Sequence, residues 1–490
     1  MSFAYSVTDL RRIEREALAG GLPLMERAGR AAADFLGRRL GRDRKILILA
    51  GPGNNGGDAL VTARYLFQAG YLVEVVTPAL AQRPYSGDAE RAWLGWLAAG
   101  GQAAADFDQT GDYGAVVDGL FGIGLDRPLT GEYVRLVERI DQLNRPVLAL
   151  DVPSGVLADS GAVPGAAIRA NWTLAMLAPS RGLFTGAALD RVGELHCATL
   201  GVEPDQRGLH PLPVLAQAPE TCRRLLRRQD SHKGSYGSVQ ILGGNDGMVG
   251  AALLAGRAAV AVGCGRVSLG LLARNPPSVD PLQPELMLHG PGLLPAGDIA
   301  VVGPGLGQDA TARRVLAERI EAPQSLLLDA DALNLLAKQP ALRTALRQRQ
   351  APTLLTPHPT EAARLLDCAT AEVQAQRFEA VQKLAETFAA IVVLKGAGSL
   401  IASRETCAIN HSGGPALANA GQGDALAGLL AGLWAQGLAA FEAATIAVWL
   451  HGRCCDTLLA RQPGRLAVSA SAIIAESVEQ LGLALEPPAS

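Results

Sequence analysis

Hydrophobic positions along this chain gather into short apolar runs separated by amphipathic stretches. Residues 45–50 form such a run and end in glycines, 58–68 carry a helical period, and 72–77 are apolar again, so the pattern predicts strand, helix, strand. Residues 115–121 and 146–151 follow as further strands. Their exits are polar or glycine-rich, and strand exits are where open α/β sheets place ligands. Between Leu212 and Arg228 the period weakens, with Pro211, Pro213 and Pro219 followed by an arginine-rich stretch, and a linker is expected there. A second α/β series then begins, with strands at 238–242, 299–302, 325–329, 353–356 and 390–394, most of them leaving through Gly, Asp or Pro-His. No short repeat is present, which excludes a solenoid.

Composition bounds the functions that fit this pattern. The 490 residues are 49% hydrophobic, 19% charged and 4% aromatic, as expected of an aliphatic-cored α/β protein of two large domains. The expected fold is a Rossmann-like three-layer αβα domain over residues 1–215, followed by a ribokinase-like αβα domain over 220–490. A net charge of −3 with no basic block argues against nucleic-acid binding, and Arg223, Arg224, Arg227 and Arg228 read as one solvated face. The apolar run 425–437 falls short of the ~18 residues that span a bilayer. Asp9, Arg11, Arg12, Glu14 and Glu16 deny the N-terminus a signal-peptide core. Seven scattered cysteines without a CxxC suit reduced thiols, so a cytoplasmic protein with no membrane partner is expected.

The chemistry concentrates in loops. In Asn419-Ala-Gly-Gln-Gly-Asp424-Ala-Leu-Ala-Gly428, Gly421 and Gly423 let the chain turn so that free N–H groups at a helix start can face an anion, with Asp424 beside them as a base. Taken alone, the segment is equally an ordinary glycine-rich helix entry with Asp424 near its N-cap. Upstream, Gly51-Pro-Gly53-Asn54-Asn55-Gly56-Gly57-Asp58 meets the GxGxxG context for a pyrophosphate at a helix N-terminus, and Glu74 stands near the expected ribose acid. The double Asn exceeds what a nicotinamide fingerprint needs. With Asp118 and Ser154 at other strand exits, Asn55 can supply oxygen ligands for a hard cation.

Three ordered motifs, Gly-x-Gly-Asn-Asn-Gly-Gly-Asp, Val117 to Pro128 and Asp151-Val-Pro-Ser-Gly155, resemble the epimerase domain of NAD(P)H-hydrate repair enzymes. The resemblance implies that Asn54, Asn55, Gly56, Gly57 and Asp58, with Gly122, Ile123, Gly124, Leu125, Asp126, Arg127 and Pro128, hold the hydrated dinucleotide. It further implies that Asn55, Asp118 and Ser154 bind potassium, and that Asp151 meets the reacting end as the candidate acid/base. The motifs His232 to Gly237, Gly303 to Gly307, Leu328 to Asn334, Thr356 to Glu361 and Leu394 to Ser399 precede the Asp424 loop and resemble the ribokinase-like dehydratase domain of the same enzymes. By that resemblance Lys395, Gly396, Ala397, Gly398, Ser399 and Gly423 contact an adenine nucleotide, while Ala251, Gly305, His358 and Asp424 meet the hydrate, Asp424 as the base.

The resemblance also implies magnesium, a homo-oligomer, and ADP as co-substrate with ATP possible, ADP being favoured because the two-domain fusion reads as a prokaryotic arrangement. Ala59 and Thr360 stand where the family usually has glycine, and Gln422 replaces a more usual Thr or Ser. Two other readings compete: a ribokinase-like vitamin or sugar kinase fused to a dinucleotide-binding regulatory domain, and a first domain that is only a dinucleotide sensor or scaffold.

Overall fold

The computed structural model describes residues 2–78, 85–203, 208–290 and 292–486. The chain divides into two compact units, one over Phe3–Leu212 and one that begins at Pro213.

The first unit is built on a seven-stranded sheet in the order Ala103–Ala104, Val73–Val76, Lys45–Ala50, Tyr113–Gly119, Val147–Leu150, Trp172–Met176, Glu194–Ala198. Every pairing is parallel. Strands buried on both faces must be apolar throughout, and Lys45–Ala50 is buried from its second residue on. Its alternation divides two cores. Ile46, Ile48 and Ala50 pack with Leu36, Leu60 and Val61 of the helices Leu24–Gly37 and Asn54–Gln68. Leu47 and Leu49 pack with Leu136, Val137 and Ile140 of Glu132–Leu143. Chain order reverses between Lys45–Ala50 and Tyr113–Gly119, and such a reversal opens a crevice at the carboxyl ends of the strands.

Two boundaries differ from the sequence expectation. The helix expected at Asp58 starts at Asn54, capped by Gly53, so the Asn-Asn-Gly-Gly run is its first turn rather than a loop before it. The strand expected to reach Phe121 stops at Gly119, leaving Leu120 and Phe121 at the crevice.

In the second unit the sheet runs Leu212–Leu215, Cys407–Asn410, Leu400–Ala402, Ile391–Leu394, Thr353–Leu355, Ser325–Leu328, Ile299–Val302, Ser238–Gly243, Arg266–Leu271, Met287–His289. It is parallel except where Leu400–Ala402 turns antiparallel to both its neighbours. The expected linker is therefore partly structural. Its first residues form a strand paired with Cys407–Asn410, whose periodicity Pro211 and Pro213 conceal, and Glu220–Leu225 form a 3₁₀ turn. One sheet face, with Val239, Ile241, Val301 and Leu327, meets a core formed by the helices Val249–Ala261, Gln422–Ala435, Ala440–Arg461 and Ala470–Leu485.

The first two of these helices cross closely because glycine permits it. A Cβ on Gly428 would lie 2.0 Å from the Ala255 carbonyl oxygen, and one on Gly432 2.7 Å from that of Ala259. Gly421 approaches Leu254, so the two helices run parallel and open toward the same end of the sheet.

Candidate active sites

The crevice of the first unit is a cleft of about 480 Å³. Of the residues expected to hold a dinucleotide, Asn54, Asn55, Asp58, Asp151 and the run Gly122 to Arg127 line it. Gly56, Gly57 and Pro128 are not among its lining residues. Gly56 and Gly57 serve packing instead, since a Cβ on Gly56 would fall 1.8 Å from the Gly51 carbonyl oxygen and one on Gly57 2.6 Å from Met25. Pro128 is exposed. The floor is main chain at Gly122, where a Cβ would sit 2.7 Å from Asp151 Oδ2, and it is packed from behind by Gly51, where a Cβ would sit 1.9 Å from the Leu120 carbonyl oxygen. Ala59 fits without strain, its methyl filling the space that Gly119 leaves beside it.

Asp118 and Ser154 lie beneath this floor, both fully buried. Ser154 Oγ donates to Asp118 Oδ1 at 2.7 Å and its N–H to Oδ2 at 2.8 Å, while Phe121 N–H donates to Ser154 Oγ at 2.9 Å. Burial pushes the Asp118 carboxyl up to about 6, against the pull of these hydrogen bonds. Asn55 is also buried, yet neither its Oδ1 nor its Nδ2 has a partner in the structure. A buried orphan amide is costly unless something fills its valence, and a cation held by Asn55 Oδ1 and the Asp118 and Ser154 oxygens fits that requirement.

Asp151 follows its strand with φ of 64°, an uncommon conformation for a non-glycine residue, and its Oδ2 accepts from Ile123 N–H at 3.1 Å. Burial pushes this carboxyl up to about 6 against its backbone hydrogen bonds, with the charge of Glu14 adding to the rise. Asp58 is held well above the usual carboxylate range by burial, then by Asp151 and Glu14. Glu14 was invisible as a site residue in the sequence. With Leu10 and Arg11 it enters the cleft from the helix Val7–Ala19, where an acid beside the buried Leu10, Ile13 and Ala17 stripe was the available signal.

The second unit gathers a charged cluster at strand exits. Lys395 Nζ donates to Asp329 Oδ1 at 2.7 Å, and Asp329 is buried. Burial alone would lower the Lys395 pKa, but Asp329, Glu361 and Asp424 offset it and the net shift is upward, so the ammonium persists. Gly423 is pressed against this pair, a Cβ there lying 3.4 Å from Lys395 Nζ and 3.6 Å from Asp329 Oδ2. Asp424 stands in the first turn of Gln422–Ala435, with Gly421 in the left-handed conformation as the N-cap. Burial pushes its carboxyl up to about 6, with Asp329 adding and Lys395 opposing.

His358 caps the helix Pro359–Leu366, its Nδ1 accepting from the N–H groups of Thr360 and Glu361 at 3.1 and 3.3 Å. Thr360 has ordinary helical backbone there, so no glycine is required. Burial and the Lys395 charge hold His358 below its usual range, and burial pushes Glu361 up to about 7. Gly305, at φ 58°, touches Met248 and Ala251 at the start of Val249–Ala261, the helix that runs beside Gln422–Ala435.

The loop Lys395 to Ser399 rests on Arg377, a residue the sequence gave no reason to single out. Its guanidinium is fully buried, with Nη1 donating to Gln374 Oε1 at 2.8 Å and Nη2 lying 3.4 Å from each of the carbonyl oxygens of Leu394, Lys395 and Gly398, which share its protons. Ser399 Oγ closes the loop onto the Gly396 carbonyl at 3.1 Å. Gln422 points away from the cluster: its Nε2 donates to the Val468 carbonyl at 2.6 Å and its Oε1 meets His451 Nε2 at 2.9 Å. Its identity therefore anchors the loop. Among the described residues no group of three His, Cys, Asp or Glu side chains could hold a metal ion, and no helix is long and apolar enough to cross a membrane.

Comparison with known proteins matches both halves. A family model described as NAD(P)H-hydrate dehydratase covers residues 239–477, and one described as YjeF-related protein N-terminus covers 21–182. The chain is 37% identical to a bifunctional NAD(P)H-hydrate repair enzyme of Coxiella burnetii, over 93% of this chain and 95% of that one. It is 35% identical to the bifunctional enzyme of Leishmania major, over 90% and 86%. That relative is eukaryotic, so the fusion of the two domains does not mark a prokaryotic chain and lends ADP no support. An ADP/ATP-dependent NAD(P)H-hydrate dehydratase from Bacillus subtilis, co-crystallized with ATP/Mg2+, is 29% identical over 56% of this chain and 99% of that chain, with a TM-score of 0.49. Across both of its units, this chain belongs to the family of bifunctional NAD(P)H-hydrate repair enzymes.

Proposed function

We propose that residues 1–215 interconvert the R and S epimers of hydrated NADH or NADPH, and that residues 220–490 dehydrate the S epimer, consuming ADP. The observation that carries the dehydratase reading is Asp424 itself: a carboxyl poised at about 6, at the N-terminus of an apolar helix and beside the Lys395–Asp329 pair. A hydroxyl on a reduced nicotinamide ring leaves poorly. Asp424 takes its proton, the oxygen attacks the terminal phosphorus of ADP, and AMP departs. Phosphate then leaves with the C–O bonding electrons, the neighbouring ring carbon gives up a proton, and the conjugated double bond returns.

Within this reading, Lys395, Gly396, Ala397, Gly398, Ser399 and Gly423 hold the nucleotide, its charge met by the Lys395 ammonium and the amides at the helix start. Ala251, Gly305 and His358 receive the hydrate beside Asp424. Magnesium would arrive on the nucleotide phosphates, where it keeps most of its own water ligands. In the first domain Asn55, Asp118 and Ser154 would hold potassium, which would supply a fixed positive charge. Asn54, Asp58 and Gly122 to Arg127 line the dinucleotide, and Asp151 moves protons at the reacting carbon. The enzyme acts in the cytoplasm as a homo-oligomer.

The test is to incubate the full chain with a mixture of hydrate epimers, magnesium, and ADP or ATP, and to follow the absorbance of the reduced cofactor. Complete recovery is expected with ADP. Recovery that stops at the S fraction refutes the epimerase half. No recovery with either nucleotide refutes the dehydratase half and favours a small-molecule kinase.

A further inference from the structure

Glu14 lines the first cleft without a structural task. Among the described residues it accepts no hydrogen bond and joins no ion pair, yet it is half-buried on the inward shoulder of Val7–Ala19. Four acids line the cleft: Glu14, Asp58, Asp126 and Asp151. Asp126 is exposed. Asp58 and Asp151 both follow the carboxyl ends of sheet strands, one on the helix after Lys45–Ala50 and the other directly after Val147–Leu150. Glu14 alone is carried by the N-terminal helix.

Resting on the epimerase reading of this domain, the chemistry calls for two proton-transfer groups. The ring nitrogen lone pair can expel the hydroxyl only as that oxygen gains a proton and leaves as water. Re-addition then places a water oxygen on the opposite face of the same carbon, and that water must lose a proton. Over one inversion a water leaves, a water enters, and one acid and one base exchange roles.

We propose that Glu14 is the second catalytic residue of this domain, serving one face of the ring while Asp151 serves the other. Burial raises both carboxyls, that of Asp151 to about 6, and they differ in how they are held: Asp151 accepts backbone hydrogen bonds from Ile123 and Met176, whereas Glu14 accepts none and has Arg11 nearby. The charges facing Glu14 are Arg11 on its own helix, Asp58 on Asn54–Gln68 and Asp151 at its strand end, with Asp126 and Arg127 on the loop that borders the cleft.

The experiment uses the full chain and the purified R hydrate without nucleotide, following its conversion to S by chromatography across pH. No inversion by the unsubstituted protein would defeat the epimerase reading itself. With inversion established, Glu14→Gln is expected to lose roughly 10²- to 10⁴-fold in kcat with little change in KM, and to lose one limb of the pH profile. Glu14→Asp, which keeps the proton, should recover part of the rate with that limb restored, and both variants should melt as the parent does. The proposal is overturned if Glu14→Gln keeps the parental rate and profile, if its loss lies in KM, or if Asp58→Asn removes the limb instead.

Discussion

Replacing Lys395 with methionine isolates what one buried charge does for the dehydratase. The ammonium is 2.7 Å from Asp329 and also faces Glu361 and Asp424, so its removal leaves three carboxyls without their cation. An opposite charge at such range holds a carboxyl down by roughly 1–3 pKa units. Asp424 loses an opposing charge as well, so its carboxyl should climb above its present value of about 6. At pH 7 its ionised fraction should fall, and kcat should fall with it and return as pH is raised.

Stability should fall too, by about 3–5 kcal/mol at neutral pH, because breaking a buried pair strands its partner. Carboxyls whose folded pKa lies above the unfolded value favour the folded state most when protonated. The stability deficit should accordingly shrink as pH falls through the raised folded value toward about 4. The assay is kcat at saturating nucleotide and hydrate across pH 5 to 9, with urea melts alongside. An unchanged midpoint of the rate profile would mean that Lys395 does not set the ionisation of Asp424, and the electrostatic account would fail.

Three further outcomes are expected. Asp424→Asn should lower dehydration roughly 10²- to 10⁴-fold while R-to-S conversion continues, and retained NADH regeneration would remove Asp424 as the base. Arg377→Lys should raise the KM for nucleotide about tenfold with a smaller change in kcat, because one ammonium cannot hold Gln374 as Nη1 does and also reach the carbonyls beside Nη2; an unaltered KM would show that the loop needs no such brace. Asn55→Leu should stabilise the potassium-free protein by about 1–3 kcal/mol, by deleting a buried unpartnered amide, while abolishing any effect of potassium on epimerisation; a lower melting temperature in sodium buffer would refute the orphan assignment.

The sequence carried much of this, unevenly and for physical reasons. Strands such as Lys45–Ala50 were legible because burial on both faces leaves an uninterrupted apolar run, and their glycine- and acid-rich exits located both sites. Leu212–Leu215 was hidden by the prolines around it, and its pairing with Cys407–Asn410 spans nearly two hundred residues of chain. Asp151 and the Asn-Asn-Gly-Gly-Asp run could be read in motifs. Glu14 could not, because a lone acid on an amphipathic helix looks solvated until the fold brings a cleft to it. Arg377 is the same case inside the core: it meets the loop through main-chain carbonyls, which have no signature in sequence. Gln422, questioned as an unusual residue between two glycines, proves to face inward toward His451 and Val468, where a change of side chain alters an anchor rather than the chemistry.

The glycine floor of the first cleft has a consequence for what can change there. Gly122 lines the cleft with main chain alone while Gly51 and Gly56 pack behind the lining, and at each of the three an added methyl would collide with backbone or with Asp151. Substitution there can neither deepen the cavity, since there is no side chain to trim, nor make it shallower without breaking the sheet-to-helix packing. Its depth is thus a property of the fold, and any drift in the size or charge of the molecule it admits must be written in the side chains of its rim, from Leu10 and Arg11 to Leu125, Asp126 and Arg127.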